Sequence, residues 1–176
     1  MSYDIRRPSE LDRLSLDKLL DDDYRRNGID DKPSLTEKQI ERYSQSAWIA
    51  VNEQERPEAI VLAGVWNHEL AAPYSRLPKR ALQALGKIGV YDGHRGIYIM
   101  SAVDYEEGGA LSALVDATSV LEPESGPVHV PLLRTELADK AFLLGRGFQE
   151  GRKGLDDLTW RPNGPQVETV LMTRKK

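Results

Sequence analysis

The stretch Gly96-Ile97-Tyr98-Ile99-Met100-Ser101-Ala102-Val103-Asp104-Tyr105-Glu106-Glu107-Gly108-Gly109-Ala110 decides the fold of this chain. Its first five residues form an apolar run of the length expected for a buried strand. Tyr105 to Ala110 is a glycine-containing turn. It opens a helix over 109–121, in which Leu111, Leu114, Val115, Thr118 and Leu121 recur at helical spacing. A turn feeding a helix start presents unpaired backbone N–H groups and the positive end of the helix dipole. That combination suits a phosphate or pyrophosphate, and Gly108 and Gly109 let such a ligand come close to the backbone. The chain contains neither G-x-x-x-x-G-K-[ST] nor G-x-G-x-x-G, so P-loop and Rossmann readings are poor. A tight turn with no ligand is the plain structural alternative.

On the C-terminal side, Val128-His129-Val130-Pro131-Leu132 reads as the next strand and completes a strand–helix–strand unit. Thr135 can cap a helix carrying Leu137, Ala141 and Leu144, closed by Gly145 and Gly147. Phe148 to Lys153 and Gln166 to Thr173 follow as strands around a polar bend.

On the N-terminal side, Tyr3 to Arg7 alternates like a short strand. Ser9-Glu10-Leu11-Asp12 reads as a capping box opening a helix with Leu11, Leu14, Leu19 and Leu20 on one face. Asp21 to Ser34 reads as a loop. Ser34-Leu35-Thr36-Glu37 is a second capping box, and its helix should run to Gln45 with Leu35, Ile40 and Tyr43 inward. Ala47 to Val51 and Ile60 to Trp66, separated by a polar segment holding Pro57, read as an antiparallel hairpin. Between 67 and 95 the pattern is less regular, with Lys79 to Leu85 as a short helix between Pro78 and Gly86. The order predicts an α/β fold: a mixed, mostly antiparallel central sheet of about 6–7 strands. Helices should cover both faces.

Composition bounds the function. The 176 residues suit one domain, 1–176, and 40% apolar with 30% charged residues is ordinary globular material. No stretch approaches the ~18–20 apolar residues of a membrane helix. Met1 to Arg7 has no apolar core of a secretory signal. The net charge of −4 and the lack of a basic tract argue against general nucleic-acid binding. A cytoplasmic protein is expected. Without cysteine there is no disulfide, thiolate nucleophile or cysteine metal site. The three histidines, His68, His94 and His129, lack ligand-like spacing, so no metal is expected.

The element order over residues 3 to 174 resembles the GNAT superfamily of acyl-CoA-dependent N-acyltransferases. Tyr105-Glu106-Glu107-Gly108-Gly109-Ala110 is similar to that family's Q/R-x-x-G-x-G/A pyrophosphate motif at Gly108 and Ala110. Ala138 to Phe148, ADKAFLLGRGF, looks like the family's late helix ending in Gly-Phe. The resemblance implies splayed fourth and fifth strands, 96–101 and 127–132, with acyl-CoA inserted between them. Its pantetheine arm would pair with the backbone near Met100 and Ala102. Its pyrophosphate would rest on the turn that begins at Tyr105, on the N–H groups of Gly108, Gly109 and Ala110. A primary amine, on a small molecule or a protein, would attack the thioester of acetyl-CoA directly, which requires a base and a proton for the thiolate.

Registering back from Tyr105, the resemblance places His94 where histone-type members carry a catalytic glutamate. A histidine suits proton removal at neutral pH. His68 and Glu69 are the next candidate pair. The sequence departs from the family at Tyr105, at Leu143 in place of the usual tyrosine, and at Glu106 and Glu107 beside a polyanion site. Those departures favour the alternative of a catalytically inactive GNAT-fold ligand-binding or protein-interaction module. An unrelated phosphate-binding α/β protein is a third reading. The insert at about 67–95 carries Arg76, Lys79, Arg80, Lys87 and Arg95 against Glu69 and Asp92. It would lie near the acceptor and could recognise an acidic substrate, a partner or a second copy in a homodimer; a solvated helix is the plain reading.

Overall fold

The computed structural model describes residues 2–26, 34–65, 95–104, 106–121, 128–133, 137–150, 158–160 and 167–175. Strand β1 (Asp4–Arg6) leads through a 3-10 turn (Glu10–Asp12) into helix α1 (Arg13–Arg26). Helix α2 (Glu37–Ser46) feeds the hairpin β2 (Ala47–Val51) and β3 (Pro57–Val65). Then come β4 (Arg95–Ala102), α3 (Ala110–Leu121), β5 (Val128–Leu133), α4 (Leu137–Gly145), β6 (Gln149–Glu150), β7 (Leu158–Trp160) and β8 (Val167–Arg174). Among the described residues one sheet of eight strands runs β1-β2-β3-β4-β5-β8-β6, with β7 also on β8. Every pairing is antiparallel except β4 with β5, the pair joined through α3. The sheet is therefore mixed and mostly antiparallel, as the element order implies. The added strand is β7, inside what reads in the sequence as a polar bend.

Side-chain alternation divides the core. Ala50, Ala59, Val61, Ala63, Ile97 and Ile99 form one buried cluster with Leu111, Leu114 and Val115 of α3 and Leu143 of α4. Ile49, Val51, Ile60 and Leu62 alternate with these and are just as buried, so they point to the opposite face. There α1 packs on β3 and β4, and α2 packs on β2 and β3.

Helix α1 departs from the sequence expectation in two ways. The buried stripe of α1 is Leu16, Leu19 and Leu20, whereas Leu11 and Leu14 are 94% and 73% exposed. Leu11 belongs to the 3-10 turn that precedes the helix, and positions 16, 19 and 20 keep the helical spacing. The helix also continues through the Asp21–Asp23 run to Arg26, where Arg25 and Arg26 pair with Asp21 and Asp23 one turn back.

The cap of α2 is Thr36, not Ser34. Thr36 Oγ1 accepts from the Gln39 N–H, and Gln39 Oε1 accepts in return from the Thr36 N–H. At the other box, Asp12 Oδ2 accepts from both the N–H and the hydroxyl of Ser9, at 2.7 and 2.8 Å. Arg6 donates to both oxygens of the same carboxylate, at 2.8 and 2.7 Å, which ties β1 to the start of α1. Burial alone would raise Asp12, but these donors outweigh it and hold the carboxyl below its ordinary range.

Candidate functional site

Two features of β4 create the site. The first is a bulge. Ile60 pairs with Ser101 and Val61 pairs with Ile99, so Met100 is an extra residue on β4. Ile99 and Ala102 both lie in the α3-side cluster although three residues apart, an odd separation that a regular strand would send to opposite faces. The bulge reconciles them. Ser101 turns to the other face, fully buried, and its hydroxyl has no hydrogen-bond partner among the described residues.

The second feature is the short ladder between β4 and β5. It has two rungs, Ile97 with Val128 and Tyr98 with His129. Strand β5 continues to pair with β8 as far as Leu133, opposite Thr169. The edge of β4 from Ile99 to Ala102 therefore faces β5 without a ladder among the described residues. Backbone groups on such an edge can accept an extended ligand as an additional strand.

Beyond β4 the chain enters the turn. Arg26 at the end of α1 donates to the carbonyls of Ala102 and Val103, at 2.9 and 3.0 Å, and so anchors the strand end from the α1 side. Gly109 N–H donates to the Glu106 carbonyl at 3.1 Å, and the Gly109 carbonyl accepts from Ala113 as the first helical bond of α3. The N–H groups of the first turn, from Ala110 onward, then have no partner within the helix.

The two glycines are required for different reasons. Gly108 has φ +81° with open space where a Cβ would lie, so its backbone conformation selects glycine. Gly109 lies outside the left-handed region, but a Cβ there would sit 2.4 Å from Asp104 Oδ1. The Asp104 carboxyl thus fills the inner side of the turn.

That carboxyl is unusual. Its Oδ1 is buried with no hydrogen-bond partner among the described residues. Burial, then the charges of Glu106 and Glu58, push Asp104 above the ordinary carboxylate range, while a backbone N–H bond from Glu106 opposes them. Glu58 is itself held by Asn52 Nδ2 at 2.6 Å and by the Tyr3 hydroxyl. Burial and then Glu58 raise the Tyr3 phenol as well.

Helix α4 ends in a glycine stop. Phe148 N–H donates to the Leu143 carbonyl and Gly147 N–H to that of Leu144, both at 3.0 Å, with Gly147 at φ +81°. This is the physical content of the Gly-Phe ending: glycine supplies the left-handed residue, and Phe148 folds back into the core at 3% exposure. Leu143 is 1% exposed and packs in the cluster with α3.

Of the residues singled out in the sequence, the structure brings together Met100, Ala102, Gly108, Gly109 and Ala110 along one strand end and its turn. Tyr105, His94, His68 and Glu69 lie outside the described residues. So do the short helix expected over 79–85 and the side chain of His129. The bulge, Asp104 and Arg26 are additions. Only Asp104 had a local signal, an aspartate two residues ahead of Glu106 in a glycine turn. No group of His, Asp or Glu among the described residues is arranged to hold a metal, and none of the described helices is long and apolar enough to cross a membrane.

The overall arrangement of this chain superposes on solved structures. The ribosomal-protein-alanine N-acetyltransferase of Brucella melitensis superposes with a TM-score of 0.61 at 13% identity, over 98% of this chain and 99% of that one. The chain has the GNAT fold. NAA60 of Arabidopsis thaliana, in complex with acetyl-CoA, gives a TM-score of 0.59 at 14% identity, over 99% of this chain and 98% of that one. A GNAT-family acetyltransferase from Staphylococcus aureus gives 0.57 at 12% identity, over 99% of both chains. No protein-family model and no curated protein matches the sequence. The likeness resides in the fold, which is retained at low identity.

Proposed function

We propose that this chain is an acyl-CoA-dependent N-acyltransferase that moves an acetyl group from acetyl-CoA to a primary amine. One observation carries the reading: the unladdered, bulged end of β4 runs directly into a glycine turn at the N-terminus of α3. A thioester on an extended arm needs both parts, an edge for the arm and N–H groups for the diphosphate. The arm would pair with β4 at Met100 to Ala102, and the diphosphate would rest on Gly108, Gly109 and Ala110. The NAA60 structure with acetyl-CoA bound supports this use of the fold.

In the reaction the amine nitrogen attacks the thioester carbonyl carbon, the C–S bond breaks, and CoA leaves as a thiolate. His94 is assigned as the base that takes the ammonium proton, with His68 and Glu69 as the second candidate pair. Leu143 is aliphatic and buried, so α4 supplies no phenol there, and water is assigned to protonate the thiolate. We assign residues 1–176 to a single cytoplasmic domain. The 67–95 insert, rich in Arg and Lys, would in such a fold come near the acceptor, and its charge favours an acidic acceptor.

Leu143, together with Glu106 and Glu107, favours a second reading, the same fold kept as a ligand-binding or interaction module without turnover. Calorimetric titration with acetyl-CoA, CoA and ADP, followed by a screen of amines for thiol release, separates the two. Saturable binding with amine-dependent CoA release supports the enzyme. Binding without release supports the module, and no binding of any of the three ligands rejects both uses of the turn.

A further inference from the structure

We propose that the 104–110 turn takes up its polyanion together with a proton, and that the proton is held on the Asp104 carboxyl. This rests on the acyl-CoA reading of the turn and adds a control on it. Asp104 lies against the inner side of the backbone whose outer side would carry the diphosphate. Its Oδ1 approaches to 2.4 Å of the point where a Gly109 Cβ would stand, and that oxygen is buried without a partner among the described residues.

The surroundings of the carboxyl are mostly of its own sign. Glu106 shares the turn, Glu58 approaches from β3, and Tyr3 from the N-terminal segment is bonded to Glu58. Glu107 is exposed on the same turn. Among the described residues, Arg26 is directed to the carbonyls of Ala102 and Val103 and to Asp23, Lys18 and Arg56 line the neighbouring pocket with Glu58 and Val103, and none of the three contributes to the titration of Asp104. A carboxylate in this position already bears a desolvation cost and two like charges, and Asp104 titrates above the ordinary carboxylate range. A diphosphate arriving on the outer side adds further negative charge within a few ångströms. Binding must then raise the proton affinity of Asp104, and protonation of Asp104 must tighten binding by the same factor. The affinity for CoA therefore rises as pH falls from neutral toward the carboxylate range. Asp104 is a positioning residue in this scheme: it acts through the turn and does not touch the reacting atoms.

The test is calorimetric titration of CoA into the wild-type chain and D104N from about pH 7.5 to about pH 5. Asparagine keeps the acceptor for the Glu106 N–H and removes the charge. Protonation of the CoA phosphates affects both proteins alike and cancels in the comparison. Like charges a few ångströms apart in a half-solvated site are worth roughly tenfold in affinity. D104N should therefore bind CoA about tenfold more tightly than wild type at neutral pH. The wild type should recover that factor on acidification. Carboxyl carbon-13 resonances should show the Asp104 titration moving upward when CoA is saturating. If D104N does not fold, E106Q removes one of the like charges instead, and it should bind more tightly at neutral pH with a shallower pH profile. Parallel pH profiles for variant and wild type overturn the proton coupling while leaving the acyl-CoA reading in place. Absence of CoA binding at every pH in both proteins overturns the acyl-CoA reading, and the coupling with it.

Discussion

Gly109→Ala offers a quantitative check on the geometry of the turn. The new Cβ would lie 2.4 Å from Asp104 Oδ1, 2.9 Å from Cγ and 3.0 Å from Oδ2, so the whole carboxyl group has to move. Reaching ordinary van der Waals separation requires a shift of about 1 Å. The displaced carboxyl loses its bond from the Glu106 N–H, worth about 1 kcal/mol. It also leaves its staggered rotamer, at a cost of about 1 kcal/mol more. Together these predict a destabilisation of about 2 kcal/mol, or a fall in Tm of about 4–8 °C for a chain of this size. In an Asp104→Ala background the obstacle is gone. There Gly109→Ala should be neutral or stabilising by about 0.5 kcal/mol, because alanine restricts the unfolded chain and Gly109 does not need a left-handed backbone. The four proteins form a double-mutant cycle, read by thermal and denaturant unfolding, with an expected coupling near 2 kcal/mol. Equal effects of Gly109→Ala in the two backgrounds would refute the packing of Asp104 beneath the turn.

Three further outcomes are expected. Gly108→Asp places a carboxylate on the open side of the turn, where aspartate tolerates the left-handed backbone, so CoA binding should be lost with folding retained; unchanged affinity would remove the turn from the site. Asp12→Asn should cost about 2 kcal/mol at neutral pH by unpairing Arg6. Because the folded carboxyl of Asp12 titrates below its unfolded value, its contribution is present above about pH 4 and disappears as pH falls through the folded value. Unfolding curves for the variant should therefore show a flatter loss of stability in acid than wild type, and coincident acid limbs would contradict the ion pair. His94→Ala should lower amine acetylation most at neutral pH, and an unaltered pH–rate profile would clear His94 of the base role.

The legible parts of this protein were those set by local periodicity and punctuation. The hairpin of β2 with β3 (read from Ile60 in the sequence, but starting at Pro57 in the sheet), the helix from Ala110 and the glycine stop after α4 each follow from residues close together in the chain. Apolar alternation, a glycine at a left-handed position and a helix start need no distant partner to be recognised. Even here, local rules admitted close competitors. Ser34 and Thr36 both offer a capping hydroxyl, and the reciprocal bond to Gln39 selects Thr36. Leu11 and Leu14 matched a helical stripe as well as Leu16 did, until the sheet determined which side of α1 is covered.

What the tertiary structure alone decided lies at the end of β4. Nothing between Gly96 and Ala102 marks Met100 as the extra residue. The bulge exists because Ile99 and Ala102 must both reach the cluster under α3 while Ser101 opposes Ile60 across the ladder. Arg26 meets the carbonyls of Ala102 and Val103 across more than seventy residues of sequence. Loss of water, Glu106 in the same turn and Glu58 arriving from β3 together raise that carboxyl's proton affinity, against the Glu106 N–H. Periodicity and turn chemistry are properties of neighbours in the chain and can be read from it. Register, desolvation and the summed field at one carboxyl depend on which distant groups arrive, and they take definite values only when the sheet has closed around them.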